Sequence, residues 1–421
     1  MNVHPSAPVA AQPLMSERKV ALIGALIVLL GPLSMVLFTP AMPELVRVFG
    51  TTEAVVKMTL LLYFVGFALA QLVCGPISDG VGRKPVTMVF LTIYLVASVL
   101  ALFAPTIEAL IAARFLQGIG AAVGVAISRA IVRDLFTGES SARIMNMIGM
   151  IMGIGPALAP TLGGVTLELF GWQAIFALML VLGLVIAAIV NISMVETVPR
   201  DLSRIRPRAL IRSYGTLLSS GYFIASSMVM AGALGAFFTL ATILPFVLMD
   251  RVGLTPTQFG LGMLMHSLSF FLGTLVVRRL LGPYGAFRIV PAGFVFIAAG
   301  GVLLAVLLRV MEPGFLVVMG PMALYVFGAA FVMPAMSTAS VAPFPHIAGA
   351  AGALAGFMQM GGGLLGGVLA AVMGDPVAAL ATVIPGMGLT AIVSWLVWRS
   401  LPEPPLAKVT LADTPTPPPA E

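Results

Sequence analysis

The chain has 421 residues, 60% of them hydrophobic and only 9% charged, and its mean hydropathy is +1.10. A soluble domain carries roughly 25% charged residues, so this composition cannot clothe a water-facing surface, and soluble folds are excluded. The net charge of +6 comes without a basic patch interleaved with aromatics, which excludes nucleic acid; one cysteine (Cys74) and three scattered histidines (His4, His266, His346) exclude a disulfide framework and a metal cluster.

The first residues, up to Pro13, are Ala/Pro-rich and lack the charged region and cleavage site of a signal peptide. Residues 1–19 are therefore expected to be a disordered cytoplasmic N-terminus. A hydrocarbon core of about 30 Å takes about 20 apolar residues per helix. That ruler predicts twelve spans: 20–46, 54–75, 85–104, 107–129, 142–167 and 172–194, then 221–248, 257–278, 286–308, 314–335, 348–373 and 376–399. The longest polar interruption, 196–213, carries Arg200, Arg204, Arg206, Arg208 and Arg212. It reads as a linker between bundles over 20–195 and 214–400, with a Pro-rich disordered tail over 401–421.

Of the 22 lysines and arginines, all but Arg47, Lys57, Arg251, Arg309 and the intraspan Arg114 fall on the linker's side. The positive-inside rule then puts the linker and both termini in the cytoplasm. The expected fold is an all-α, multi-pass protein of the bacterial inner membrane, with twelve transmembrane helices in two six-helix bundles. Two such halves place a small-molecule site at the midplane between them.

Between spans 2 and 3 the chain reads Gly75-Pro76-Ile77-Ser78-Asp79-Gly80-Val81-Gly82-Arg83-Lys84. Gly75 and Gly82 permit tight turns and close helix approach. Asp79 can pair with Arg83 or a neighbouring arginine, or face a helix N-terminus. Span 4 carries Arg114-Phe115-Leu116-Gln117-Gly118-Ile119-Gly120. A charge inside a span marks function by default; Arg114 is expected to face a central cavity or to bond to carbonyls of span 1, unless it snorkels to the interface. Span 5 holds Gly153-Ile154-Gly155-Pro156-Ala157-Leu158-Ala159-Pro160-Thr161-Leu162-Gly163-Gly164, whose prolines bend a helix and whose glycines let it pack closely.

These three stretches resemble signatures of the major facilitator superfamily: the loop G-x-x-x-D-x-x-G-R-K, the R-x-x-Q-G-x-G of span 4, and the exporter element G-P-x-x-x-P-x-x-G-G of span 5. Gly171-Trp172 opening span 6, Pro40-Ala41-Met42-Pro43 closing span 1 and Pro343-Phe344-Pro345 before span 11 resemble its bicyclomycin- and chloramphenicol-resistance drug/proton antiporters. The resemblance implies efflux of small amphipathic molecules in exchange for protons by alternating access. It also implies that the loop of Gly75, Asp79, Gly82, Arg83 and Lys84 holds an inner gate shut against the start of span 11, near Ala348 to Gly352. Gly153, Pro156, Pro160, Gly163 and Gly164 belong to the same conformational switch.

One departure bears on coupling. The acidic residue usual in span 1 of that branch, four positions before the first proline of P-x-x-P, is Val36 here. Proton exchange needs a group whose affinity changes with access. The candidates are His266 within span 8, Glu44 and Asp79; with none of them coupled, the chain is a facilitator or importer of a small metabolite, or a non-transporting sensor on the same fold. Arg114 without a mid-membrane acid favours a neutral or anionic amphipathic substrate. Arg114, Gln117, Val36, Phe38, Met147, Met152, Phe237 and Met358 are the expected cavity lining. No P-loop is present, so ATP does not drive the chain directly. No cofactor, metal or enzyme activity is expected, and the chain is read as a monomer in the lipid bilayer.

Overall fold

The structure, a computed structural model, describes residues 14–404, apart from the side chains at 142, 146, 149–154 and 156. All regular secondary structure among the described residues is helical, with no strand among them. The long helices are α1 (Glu17–Val48), α2 (Glu53–Val81), α3 (Arg83–Leu102), α4 (Ile107–Leu135), α5 (Gly138–Phe170) and α6 (Trp172–Ser193). After a linker helix (Pro207–Leu218) come α7 (Gly221–Arg251), α8 (Pro256–Tyr284), α9 (Ala286–Val310), α10 (Phe315–Val341), α11 (Pro345–Met373) and α12 (Pro376–Ser400). Eleven of these are long and apolar enough to cross a membrane; α5 has 33 residues, and its described apolar stretch is Ala157–Phe170. The chain is a multi-pass membrane protein. The predicted tails fall largely outside the described residues.

Several helices overrun the spans read from hydropathy. α4 runs six residues past its predicted end at 129, to Leu135, and α8 runs on to Tyr284. Hydropathy stops at the first charges, whereas the backbone keeps its hydrogen bonds for as long as those charges find water or partners. The starts follow capping chemistry. The Thr52 hydroxyl accepts from the Val55 N–H, Asp375 from the Ala378 N–H, and Thr255 with Gln258 forms a reciprocal capping box. Inside α1, Pro40 and Pro43 tighten the helix into a short 3-10 turn; in α7 a π-turn follows Pro245.

Buried apolar side chains fall into two main clusters. One draws on α1 to α6, with Phe246 and Met360 added from the second half; the other draws on α7 to α12. Small residues permit the approach. A Cβ on Gly328 would lie 2.9 Å from the Ile297 nitrogen, so α9 and α10 touch backbone to backbone. Between the clusters the principal crossings are α2 with α11 and α5 with α8.

Candidate functional site

At the linker end α2 turns into α3 at Gly82, whose φ of 114° suits glycine, and a Cβ there would lie 2.6 Å from the Glu196 carboxylate. That carboxylate comes so close because it caps α3. Its Oε1 accepts from the Arg83 N–H at 2.8 Å and its Oε2 from the Lys84 N–H at 3.0 Å. The first N–H groups of a helix lack partners within it and carry the positive end of its dipole. Glu196 also accepts from the N–H groups of Thr197 and Val198, and Lys84 Nζ donates to the Asn191 carbonyl at 2.8 Å. The end of α6 is thereby fastened to the start of α3.

Beside this cap the Arg83 side chain is buried. It pairs with Asp79 at 2.6 Å and Asp134 at 3.0 Å and donates to Ser78 Oγ at 2.6 Å. Asp134, near the end of α4, also accepts from Thr197 Oγ1 at 3.0 Å. The Asp201 N–H donates to the Gly80 carbonyl at 2.8 Å, tying the linker to the same loop. Hydrogen bonds from Ser203 hold the Asp201 carboxyl below its ordinary value of 3.8.

The loop was expected to meet the start of α11. Its described polar partners are instead Asp134, Asn191, Glu196 and Asp201, all from the first half and the linker. The reason is electrostatic: Arg83 needs carboxylates, and the start of α11 offers none. What approaches α11 is Gln71, 2.8 Å from where a Cβ on Gly356 would stand, and Arg129, 3.6 Å from the same construction on Gly352. The linker helix joins here too, with the Tyr214 hydroxyl donating to the Leu72 carbonyl at 2.7 Å. Burial pushes the Tyr214 hydroxyl up to about 12.

Deeper in the first half Arg114 is fully buried. Its guanidinium donates to the Ser34 carbonyl of α1 and to Gln117 Oε1, and lies 4.6 Å from the Phe38 ring and 4.4 Å from the Tyr63 ring. Gln117 Nε2 donates to Ser98 Oγ at 2.8 Å, and Ser34 Oγ shares a hydrogen bond with Tyr94 at 2.6 Å. Arg114 thus takes the carbonyl-bonding placement, not the cavity wall. Arg114, Gln117 and Phe38, expected as lining, are enclosed by α1 to α4 and α6. Two π faces, worth about 2 kcal/mol or more each when desolvated, and the oxygens of Ser34 and Gln117 replace part of the water the charge gave up, while Arg114 Nε has no partner among the described residues.

At the end distal to the linker, α5 crosses α8. A Cβ on Gly260 would lie 2.5 Å from the Pro160 carbonyl oxygen and from Thr161 Cα. Added Cβ atoms on Gly164 and Gly163 would overlap the carbonyls of Pro256 and of Leu37 on α1. Beside them Glu168 accepts from the Thr257 N–H at 3.1 Å and its hydroxyl at 2.7 Å. Alongside, Lys57 of α2 is buried, pairs with Glu53 at 3.2 Å and lies 4.7 Å from the Phe246 ring of α7. Met152, Gly153 and Pro156 lie outside the described side chains.

Between these two ends α1 leaves Leu26, Leu29, Leu33 and Val36 half-buried, a spacing that puts them on one stripe. Met147, Phe237 and Met358 are half-buried as well. Phe237 stands edge-to-face on His266 at 5.0 Å; His266 is buried, and its Nδ1 has no partner among the described residues. Glu44 is half-buried near the end of α1, and Asp79 is committed to Arg83. His266, Glu44 and Asp79 therefore sit in three separate places. No group of three acidic, histidine or cysteine side chains able to hold a metal occurs among the described residues.

The model of the family described as Major Facilitator Superfamily matches residues 24–367. The chain belongs to that superfamily. Multidrug resistance protein D of Escherichia coli (strain K12) is 29% identical over 377 residues, 88% of this chain and 93% of the relative. The chloramphenicol resistance protein of Pseudomonas aeruginosa is 29% identical over 342 residues, 81% of this chain and 80% of the relative. Among solved structures, a D-xylose-proton symporter superposes with a TM-score of 0.73 at 17% identity, covering 92% of this chain and 98% of that one; at that identity the likeness concerns the fold.

Several residues of this major facilitator protein escaped the sequence reading. Glu196 and Asp134 sit near the ends of α6 and α4, far in sequence from the loop they hold, and no local motif ties them to it. Tyr63, Tyr94, Ser34 and Ser98 read as common membrane-helix residues. Lys57 alone carried a local signal, the four-residue spacing from Glu53.

Proposed function

We propose that the chain exports small amphipathic molecules from the bacterial cytoplasm by alternating access, in exchange for protons. In this reading twelve helices cross the inner membrane with both termini cytoplasmic, as the lysine and arginine bias favours. The halves rock about the α2–α11 and α5–α8 crossings. The observation that carries the reading is the distal crossing. There the Pro160–Gly164 element packs carbonyl to glycine on α8, and beside it Glu168 is hydrogen-bonded to Thr257. Beyond it, the relatives' names speak of drug resistance, which export of the drug would supply.

The cargo in this reading is neutral or anionic. Half-buried Val36, Met147, Phe237 and Met358 offer it an apolar, adaptable wall. A cation entering from the linker end would pass Arg129 and the enclosed charge of Arg114. Proton coupling falls to His266, the one candidate beside an expected wall residue. The test is uptake of a panel of cationic, neutral and anionic compounds into inside-out vesicles, with and without an imposed pH gradient. Accumulation of a neutral or anionic member that collapses with the gradient, and that loses gradient dependence in His266→Gln, supports the proposal. Equilibration indifferent to the gradient overturns coupling and leaves a facilitator, the alternative that Val36 in the usual acidic position favours.

A further inference from the structure

The distal half of the second cluster carries a cleft of about 440 Å³ between α11 and α12, with α7 at its base. On α12 the residues Thr382, Gly386 and Thr390 recur every fourth position, so one helix face presents only small side chains. Leu365, Leu369 and Met373 of α11 stand beside it as an exposed apolar wall. These helices are long and apolar enough to cross a membrane, so the cleft opens onto hydrocarbon. Along α11 it runs from Gly362 to Met373, about 16 Å at 1.5 Å per residue. That is about half of a hydrocarbon core of about 30 Å, the depth of one leaflet.

An arginine stands at its distal mouth. Arg309 of α9 reaches over α12, where Nη1 donates to the Ala381 carbonyl at 3.1 Å and Nη2 to Thr382 Oγ1 at 3.0 Å. Nη1 also donates to the Ala305 carbonyl at 2.7 Å. Elsewhere, Lys57 pairs with Glu53 and Arg251 with Asp375. Arg309 makes no ion pair among the described residues, and every described partner is a neutral oxygen. Its charge is therefore left for something outside the chain, at headgroup level, beside an apolar slot one leaflet deep.

We propose that the cleft is a phospholipid site. An anionic phospholipid of the distal leaflet lays one acyl chain along Gly386 and sets its phosphate on Arg309, a charge-assisted contact suited to the planar guanidinium. The position gives the lipid a lever on the moving parts. Gly362 and Gly366 of the cleft pack on Ala231 and Thr239 of α7, and Gly367, next in sequence, touches Leu61 of α2 across the halves. The lipid thus lies one helix away from the α2–α11 crossing.

Gly386→Phe provides the direct test, because Gly386 lines the cleft and a Cβ there meets no atom within 4 Å, so the ring has the cleft to occupy. The full chain, purified in mild detergent, is mixed with phosphatidylglycerol or phosphatidylcholine, and lipid retention is followed by native mass spectrometry as collisional activation rises. The wild type is expected to keep a phosphatidylglycerol through activation that strips phosphatidylcholine. Arg309→Gln weakens phosphatidylglycerol retention about fivefold, the weight of one arginine at a membrane surface, and weakens phosphatidylcholine, whose phosphate is already neutralised by its own choline, by less. Gly386→Phe loses the resistant lipid altogether. Undiminished retention in either variant overturns the proposal, as does a Gly386→Phe protein that keeps its lipid and loses transport, which would give the cleft to the cargo. Arg309→Gln alone decides the matter if the phenylalanine variant does not fold.

Discussion

Gly260→Ala tests the distal crossing most directly. The added Cβ would stand 2.5 Å from the Pro160 carbonyl oxygen, 2.5 Å from Thr161 Cα and 2.7 Å from Thr161 N. Carbon atoms settle about 3.5–4.0 Å apart, and backbone cannot swing aside, so α5 and α8 must separate by about 1 Å. Overpacking of this kind costs about 1–3 kcal/mol. Alanine also favours the helix by about 1 kcal/mol over glycine, but it does so in every conformation that keeps α8 helical, so that gain cancels. The net effect is a shift of about 1–3 kcal/mol against the distally closed conformation, a factor of about 5–150 in its population. The assay places a cysteine at Val36 in a Cys74→Ala background and follows labelling by a membrane-impermeant maleimide from the distal side. Gly260→Ala should raise the labelling rate by that factor. Gly320→Ala, whose Cβ meets no atom within 4 Å, should leave it unchanged. A folded Gly260→Ala protein labelled at the parental rate would refute both the geometry of the crossing and its role in access.

At the linker end, Asp134→Asn should destabilise the chain more than Asp79→Asn. Asp134 is 15% exposed against 44% for Asp79, so about 1.5–3 kcal/mol stands against about 0–1 kcal/mol, read from thermal unfolding in detergent; equal losses would contradict the burial argument. Glu196→Gln weakens the cap on α3 and should speed amide hydrogen exchange at Arg83 and Lys84, at a cost of about 0.5–2 kcal/mol. Tyr214→Phe removes the hydrogen bond to the Leu72 carbonyl for about 1 kcal/mol and should free the linker helix, seen as faster proteolysis between Leu202 and Leu218. The depressed Asp201 carboxyl contributes its stabilisation above the ordinary value of 3.8, and that contribution is lost as pH falls through the lower folded value. Ser203→Ala should bring its titration, followed by NMR, back towards 3.8.

The amino-acid sequence by itself determined the solvent, the helical class and the family. Hydropathy and capping are local, so a run of apolar residues must span whatever its neighbours do, and Thr52, Thr255 and Asp375 start helices from chemistry within four residues. The loop and span 5 signatures were legible for the same reason, being contiguous. What those signatures touch was not. Arg114 was readable as an anomaly, but only the packing of α1 and α2 around it decided that Phe38, Tyr63 and the Ser34 carbonyl, rather than cargo or water, receive its charge. Arg83 was readable as part of a signature loop, yet only the tertiary structure brought Asp134, Glu196 and the linker to that loop and left the start of α11 to Gln71 and Arg129. The cleft beneath Arg309 had no sequence signature at all. The physical reason is common to these cases: a helix's own sequence sets its periodicity and its ends, whereas the partner of each face depends on the rotation and depth of its neighbours, set by packing summed over the whole bundle.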